Sequence, residues 1–399
     1  MSLGVCLVLA CEGSGPSEEP PQTLTKIAAG FGSTCALTGQ GLAYCWGGSI
    51  EDAEIIDPTC VTVPCFRTRP DTLGLGLRFR DLRLAPNLFG DAVCGISTNA
   101  RTYCWGSLLV GFDGGFQVAP APQPFAPVPV LQSIQVASRH FCGLTRAGEA
   151  YCWGDYRAGV RGAGQPLADQ SVAADLTPNR VAGSLTFTKL ALGLSNSCGL
   201  DPSGAGYCWG SWVALGNTGA PLSSLEQCGF SVPPIHGPCS HVPVPVAGGH
   251  TFIDLAAGQS HVCGVTDTGE VYCWGSNEDG ELGTGDTLYA ATPVRVSLPE
   301  PTQTVAVGWR FACALATSGQ AYCWGASDFG QVGSGTTALA VLSPAAVSGG
   351  HAYRSIAVGY SHACGLRLSG EVDCWGDNYL GQLGTGNHQS SAVPVQVQF

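Results

Sequence analysis

The stretch Val262-Cys263-Gly-Val-Thr-Asp-Thr-Gly269-Glu-Val-Tyr272-Cys273-Trp274-Gly275 decides the fold. A half-buried strand surrounds Cys263, Gly269 marks a turn that wants a positive φ, and a second strand ends in Tyr-Cys-Trp-Gly, so the stretch reads as a β-hairpin. The pattern occurs seven times, with its two cysteines ten residues apart in every copy. The pairs are Cys35 with Cys45, Cys94 with Cys104, Cys142 with Cys152, Cys198 with Cys208, Cys263 with Cys273, Cys313 with Cys323 and Cys364 with Cys374. Successive motif tryptophans are 59, 48, 56, 65, 50 and 51 residues apart, a unit of about fifty residues with insertions in the first and fourth. Six places after the first cysteine stand Gly41, Gly148, Gly204, Gly269, Gly319 and Gly370; Ala100 takes that place in the second unit.

Working outward, an apolar run ending in glycine precedes the hairpin, as in Lys26-Ile-Ala-Ala-Gly30 and Ser355-Ile-Ala-Val-Gly359, and a Pro-Val segment such as Thr292-Pro-Val-Arg-Val296 follows it. That makes about four short strands per unit. One such unit cannot bury both faces, whereas radial packing of several does and leaves only short edges. The expected fold is all-β, a seven-bladed β-propeller over residues 24–399. The strand at Thr23 to Gly30 and the strand at Ala392 to Phe399 are expected to complete one blade together and close the ring. Ahead of the propeller, residues 1–11 read as a signal segment and 12–23 as a flexible Gly/Ser/Pro/Glu tether.

Composition agrees. The 57 Gly and 26 Pro among 399 residues exclude long helices for most of the chain. With 45% apolar and 12% charged residues the chain is not disordered, and a formal charge of -12 would repel a phosphate backbone.

The stretches Trp274-Gly-Ser-Asn-Glu-Asp-Gly-Glu-Leu-Gly-Thr-Gly285 and Trp375-Gly-Asp-Asn-Tyr-Leu-Gly-Gln-Leu-Gly-Thr-Gly386, with the Gly-x-x-Tyr-x-Trp-Gly hairpin, resemble the repeat of the regulator of chromosome condensation family. The resemblance covers residues 24–399 and is specific in the last three units; the first four keep the hairpin and lose the Asn-x-x-Gly-Gln-Leu-Gly loop. It implies a seven-bladed propeller and, as the family's best-known role, guanine-nucleotide exchange on a small Ras-like GTPase, with a secreted β-lactamase inhibitor as a related protein-binding variant. Separately, Val8-Leu9-Ala10-Cys11 resembles a bacterial lipoprotein cleavage box, which implies export and lipidation of Cys11.

Across a hairpin turned at its middle residue, positions ten apart face each other within disulfide range. All seven hairpins carry both cysteines and none carries one. With Cys6 in the signal and Cys11 as lipid site, eighteen remain: seven hairpin pairs, plus Cys60 with Cys65 and Cys228 with Cys239 in the two long insertions. Disulfides are expected, ahead of reduced core cysteines; metal binding wants Cys or His at two-to-four-residue spacing, and no Cys-x-x-Cys occurs.

Chemistry is sparse. His140, His261 and His362 share one place, two before the first cysteine, and read as hydrogen-bonded strand-end residues; no metal or cofactor is expected. Asn277-Glu-Asp-Gly280 lacks the alternating ligands of a calcium loop and reads as a structural turn. No Gly-x-Ser-x-Gly elbow and no paired carboxylates suggest an enzyme. Arg67, Arg69, Arg78, Arg80 and Arg83 form a run read as a solvated strand face or an acidic-partner patch. Loops after the inner-strand glycines carry Phe31, Leu194, Gln259, Trp309 and Tyr360, with Arg139 and Arg310 close by, and should ring one channel mouth. Because aromatic and arginine side chains make binding hot spots, Phe31, Arg139, Trp309, Arg310 and Tyr360, with Trp212 beside the fourth-unit insertion, are the candidate partner-binding residues. The favoured function is a monomeric, non-enzymatic scaffold binding a protein or cell-surface glycan, lipid-anchored at the cell envelope or extracellular. Nucleotide exchange or protein inhibition is the alternative, and a glycan-processing propeller enzyme a third, against which stands the absence of Ser-x-Asp-x-Gly-x-x-Trp boxes.

Overall fold

The structure, a computed structural model, describes residues 23–48, 67–73, 76–85, 91–109, 116–124, 129–155, 159–164, 174–217, 226–228, 237–336 and 338–399. Seven antiparallel sheets follow one another around a ring, six of four strands and one of five. In blade 1 the strands run Leu24–Ala29, Ser33–Thr38, Ala43–Gly47 and Arg67–Thr72, from the inside outward. The other blades repeat this order, and blade 4 adds Glu226–Cys228 outside Gly237–Pro245.

The hairpin cysteines pair as their spacing requires. Cys35 is bonded to Cys45, Cys94 to Cys104, Cys142 to Cys152 and Cys198 to Cys208 in blades 1 to 4. Cys263 is bonded to Cys273, Cys313 to Cys323 and Cys364 to Cys374 in blades 5 to 7. Every pair sits directly opposite in register, at Cα separations of 4.0 to 4.1 Å. Cys239 is disulfide-bonded as well. Cys6, Cys11, Cys60, Cys65 and the side chain of Cys228 lie outside the described residues.

Neighbouring residues of a strand point to opposite sheet faces, so Cys273 and Trp274 are turned toward different blades. Among the described residues the core is accordingly seven clusters, one between each pair of blades, and every cluster joins the disulfide of one blade to the tryptophan of the next. Cys35 and Cys45 pack with Trp105, Cys94 and Cys104 with Trp153, Cys142 and Cys152 with Trp209, and Cys198 and Cys208 with Trp274. Cys263 and Cys273 pack with Trp324, Cys313 and Cys323 with Trp375, and Cys364 and Cys374 with Trp46.

The indole N–H adds direction to this contact. Trp324 Nε1 donates to Glu281 O at 2.8 Å, Trp375 to Gln331 O at 2.9 Å and Trp46 to Gln382 O at 2.9 Å, each acceptor in the outer loop of the preceding blade. Blades 4 and 5 keep the bond although the loops it reaches, in units three and four, lost the family motif: Trp209 donates to Val160 O at 2.8 Å and Trp274 to Ala214 O at 3.1 Å. In all five cases a glycine two residues beyond the acceptor lies against the indole. A Cβ at Gly283 would come within 2.9 Å of Trp324, and this glycine also has φ 67°. Asn277 shapes the fullest version of that loop: its Oδ1 accepts from Leu282 N at 2.9 Å, and its Nδ2 donates to Asp286 O and Leu288 O at 3.1 Å. Its amide is thereby used by the backbone, which makes Asn277-Glu-Asp-Gly280 a structural turn.

The terminal strands meet at the ring closure but do not share a blade. Leu24–Ala29 is the innermost strand of blade 1 and Ser391–Gln396 the outermost of blade 7. Closure is by side chains: Thr34 Oγ1 donates to Gln382 O at 3.0 Å and lies 2.8 Å from His362 Nε2, and Phe399 packs edge-on against Tyr44 and Trp46. Each unit already supplies four strands, so no blade is left for the termini to complete.

The three strand-end histidines bridge blades. His140 Nε2 lies 2.8 Å from Ser197 Oγ, His362 reaches Thr34, and the His261 ring faces the backbone of Phe311. Burial lowers their pKa values from 6.5 to about 4, 3 and 4 for His140, His362 and His261. Asp91, between blades 2 and 1, goes the other way. Its buried carboxyl is pushed up from 3.8 to about 7, against the hydrogen bonds it takes from Ser33, Phe31 and Gly32.

Three outcomes follow from this packing. Between pH 6 and 5 the unfolded chain carries three protonated histidines that the native state holds neutral, while native Asp91 holds one proton that the unfolded chain releases. The difference, three less one, makes unfolding take up about two protons, so stability falls by roughly 2–3 kcal/mol per unit of acidification, measurable by urea unfolding at pH 6 and 5. Ala100 has φ 63°, where the equivalent Gly269 has 81°; because an L-residue there costs about 1–2 kcal/mol, Ala100→Gly should raise the denaturant midpoint despite its entropic cost. Removing one bridge in Cys263→Ala/Cys273→Ala should cost about 3–5 kcal/mol in denaturant unfolding, more than loop closure alone, since a cavity opens against Trp324.

Candidate functional site

Each inner strand ends in a loop at the same end of the channel, and the outer loops that follow the motif tryptophans emerge on that face too. Ala29, Val136, Leu192, Ala257, Val307 and Val358 converge on a central cavity of about 120 Å³. The inner-strand glycines make this mouth tight. A Cβ on Gly308 would lie 2.5 Å from Gly359 O, and one on Gly359 would lie 2.3 Å from Gly30 O, so the neighbouring backbone occupies the place of a side chain. Tyr360 N donates to Gly30 O at 2.9 Å across the ring closure.

Above this collar the expected rim assembles. Leu194, Gln259 and Trp309 line the mouth with Ser138. Tyr360 lies between two other rings: Trp309 stacks on it at 4.7 Å and 27°, and Phe31 meets it edge-on at 4.8 Å and 62°. All three are half-buried, so the ladder is packed from below and open above. Phe31 is anchored by Asp91 of the next blade, whose carboxylate accepts from Phe31 N, Gly32 N at 3.2 Å and Ser33 Oγ. The sequence reading missed Asp91, although its place, three before the cysteine, is held elsewhere by Gly32, Arg139, Ser195, Ser260, Arg310 and Ser361. A lone carboxylate in that column was the available signal.

Arg310 stands beside the ladder, whereas Arg139 belongs to blade 3. Arg310 pairs with Asp279 at 2.7 Å, and Arg139 with Asp155 at 3.6 Å. Burial raises the Tyr360 hydroxyl pKa, so the phenol is neutral at physiological pH. Trp212 is on the same face but away from the mouth, at the start of a short turn in blade 4, edge-on to Tyr289 at 5.8 Å. The large apolar side chains Leu288, Phe329, Leu339 and Tyr379 are exposed on outer loops of blades 5 to 7 on this face. One expectation is corrected: Arg67 to Arg83 do not form one patch. Arg67 lies on the outer strand of blade 1, paired with Asp71 at 3.1 Å, whereas Arg80 and Arg83 lie on the inner strand of blade 2, because a blade boundary falls between them.

A known repeat and several known proteins resemble this chain. The regulator of chromosome condensation (RCC1) repeat matches residues 24–49, 252–281, 303–331 and 353–382 in one form, and 268–315, 318–366 and 369–399 in another. The ultraviolet-B receptor UVR8 of Arabidopsis thaliana is 29% identical over 149 residues, which are 36% of this chain and 34% of that protein. The chain thus spans about a third of that relative's length. Among solved structures, human WBSCR16 superposes with a TM-score of 0.71 at 19% identity, over 90% of this chain and 94% of that one. Prp20p of Saccharomyces cerevisiae, described with its binding to Gsp1p and histones, gives 0.71 at 18% identity, over 91% and 87%. These matches place regulator of chromosome condensation repeats in blade 1 and in blades 5 to 7 of a seven-bladed ring whose fold is that of the superposed propellers.

Proposed function

We propose that this propeller is a non-enzymatic scaffold that binds a protein partner on the face bearing Phe31, Tyr360 and Trp309, and that it works outside the reducing interior, at the cell envelope. The observation that carries the reading is the ring ladder at the channel mouth, flanked by Arg310 and by exposed Leu288, Phe329 and Tyr379. Rigid aromatic rings with an adjacent arginine supply contact area at small entropic cost, which is the make-up of interface hot spots. Loops on a stiff scaffold are the usual place for such a site. Protein binding by Prp20p, a structural neighbour, supports the reading as a property of this fold in that protein. Seven hairpin disulfides support the compartment, since thiols stay reduced in most cytosols. The same point weighs against exchange on a cytosolic GTPase. Lipidation at Cys11 belongs to the proposal and would tether the propeller to a membrane.

The test is capture from envelope extracts by the immobilised propeller, comparing wild type, Trp309→Ala/Tyr360→Ala and Leu368→Ala, the last an exposed residue on the opposite face. The rim variant should weaken binding of the captured protein by about 30-fold or more, as loss of hot-spot rings implies, with Leu368→Ala unchanged. Undiminished binding by the rim variant would place the contact elsewhere. Capture abolished by glycosidase treatment of the extract would point to a glycan partner instead.

A further inference from the structure

The opposite end of the channel has the reverse chemistry. The chain has only two lysines, Lys26 and Lys189, and both lie on inner strands, Leu24–Ala29 and Lys189–Leu192. Arg80 and Arg83 lie on the inner strand Phe79–Ala85, and Arg354 on Tyr353–Val358. The seven inner strands thus carry five cations, against two carboxylates, Asp81 and Asp254, a formal +3 in a chain of -12.

Both carboxylates are already paired with cations. Asp81 Oδ1 is shared by Lys26 Nζ at 3.2 Å and Arg83 at 3.5 Å. Asp254 pairs with Lys189, and its second oxygen accepts from Thr304 Oγ1 and from Val305 N at 3.1 Å. The cations still crowd one another. Burial, and then the charge of Arg83, push the Lys189 ammonium down to about 8, and Arg83 Nε is buried without an acceptor among the described residues. Beside these groups opens a cavity of about 710 Å³ whose charged lining is Lys26, Arg80, Arg83, their partner Asp81 and, from the hairpin turn of blade 3, Arg146, four cations to one carboxylate.

We propose that this mouth is a binding site for a small ligand bearing two or more oxyanion groups, carboxylates or phosphates. The cavity volume is that of a small-molecule site. Guanidinium forks match planar oxyanions, and ammonium groups add point charge. A cation-lined channel focuses its field inward, so a small anion is drawn in although the whole protein is acidic and repels a long polyanion. An anion here would also separate the crowded cations and favour the protonated form of Lys189.

The lysine count supplies the test. Reductive ¹³C-methylation of the native full chain labels two lysines besides the N-terminus, and each gives its own NMR signal. Citrate, inorganic pyrophosphate and, as neutral control, sucrose are titrated separately at low salt. The expected result is a saturable shift of the Lys26 and Lys189 signals with an anion and none with sucrose, and a rise in the Lys189 pKa on binding. Arg83→Met should weaken anion binding at least about tenfold, while Val393→Ala, at an exposed position on the outer strand of blade 7, leaves it unchanged. Should Arg83→Met not fold, Lys26→Met with the remaining Lys189 signal serves the same comparison. A response to citrate alone assigns carboxylates, and one to pyrophosphate alone assigns phosphates. No saturable shift with either anion, or equal affinity in the variant, overturns the site.

Discussion

The contact between one blade's disulfide and the next blade's tryptophan is the constraint on which this ring depends. It repeats seven times, including across the junction of blades 7 and 1, where Cys364 and Cys374 meet Trp46. Cysteine and tryptophan are adjacent in the chain and therefore face opposite sides of the sheet, so one short motif writes both surfaces of a blade. The bridge has two jobs. It ties neighbouring strands inside a blade, and its sulfurs form part of the surface against which the following blade packs. In blades 1 and 4 to 7 the indole N–H then settles orientation, because a buried donor needs an acceptor and finds one in the preceding blade's loop.

This arrangement explains how the propeller closes without exchanging a strand between its ends. A ring whose seven joints share the disulfide–tryptophan contact needs no special clasp. Blade 7 meets blade 1 through the tryptophan bond and the histidine contact found at other joints, with Phe399 laid over Tyr44 and Trp46 in addition. The joints also hold the ionisable groups that govern acid response. Histidines kept neutral by burial favour the ring at neutral pH, whereas Asp91 is held at the expense of its own ionisation.

The channel joins two unlike mouths. At one, glycine-to-backbone contacts draw the blades together and lift an aromatic ladder to the surface; at the other, lysine and arginine side chains outnumber the carboxylates between them. The separation arises because inner strands run in one direction in every blade. Residues near strand starts, such as Lys26 and Arg80, gather at one end, and loops beyond strand ends, such as Trp309 and Tyr360, gather at the other.

The repeat number, hairpins, hairpin cysteine pairs and the location of the rim loops were legible from the chain because each depends on spacing within about fifty residues. Gly269 and its equivalents announced the turn, and Ala100 kept the backbone angle without the glycine. The Asn-x-x-Gly-Gln-Leu-Gly loop is missing from the sequence of units three and four, yet Val160 and Ala214 still receive the tryptophan bond, because a backbone carbonyl accepts whatever its side chain is. What only the tertiary structure decided lies between blades: the destination of Asp91, the division of the arginine run, the separate sheets of the terminal strands and the meeting of Lys26, Arg83 and Lys189. Local pairing is set by register and alternation along a few residues, while contacts between blades reach as far along the chain as Thr34 and Gln382, 348 apart, and exist only once the ring is closed.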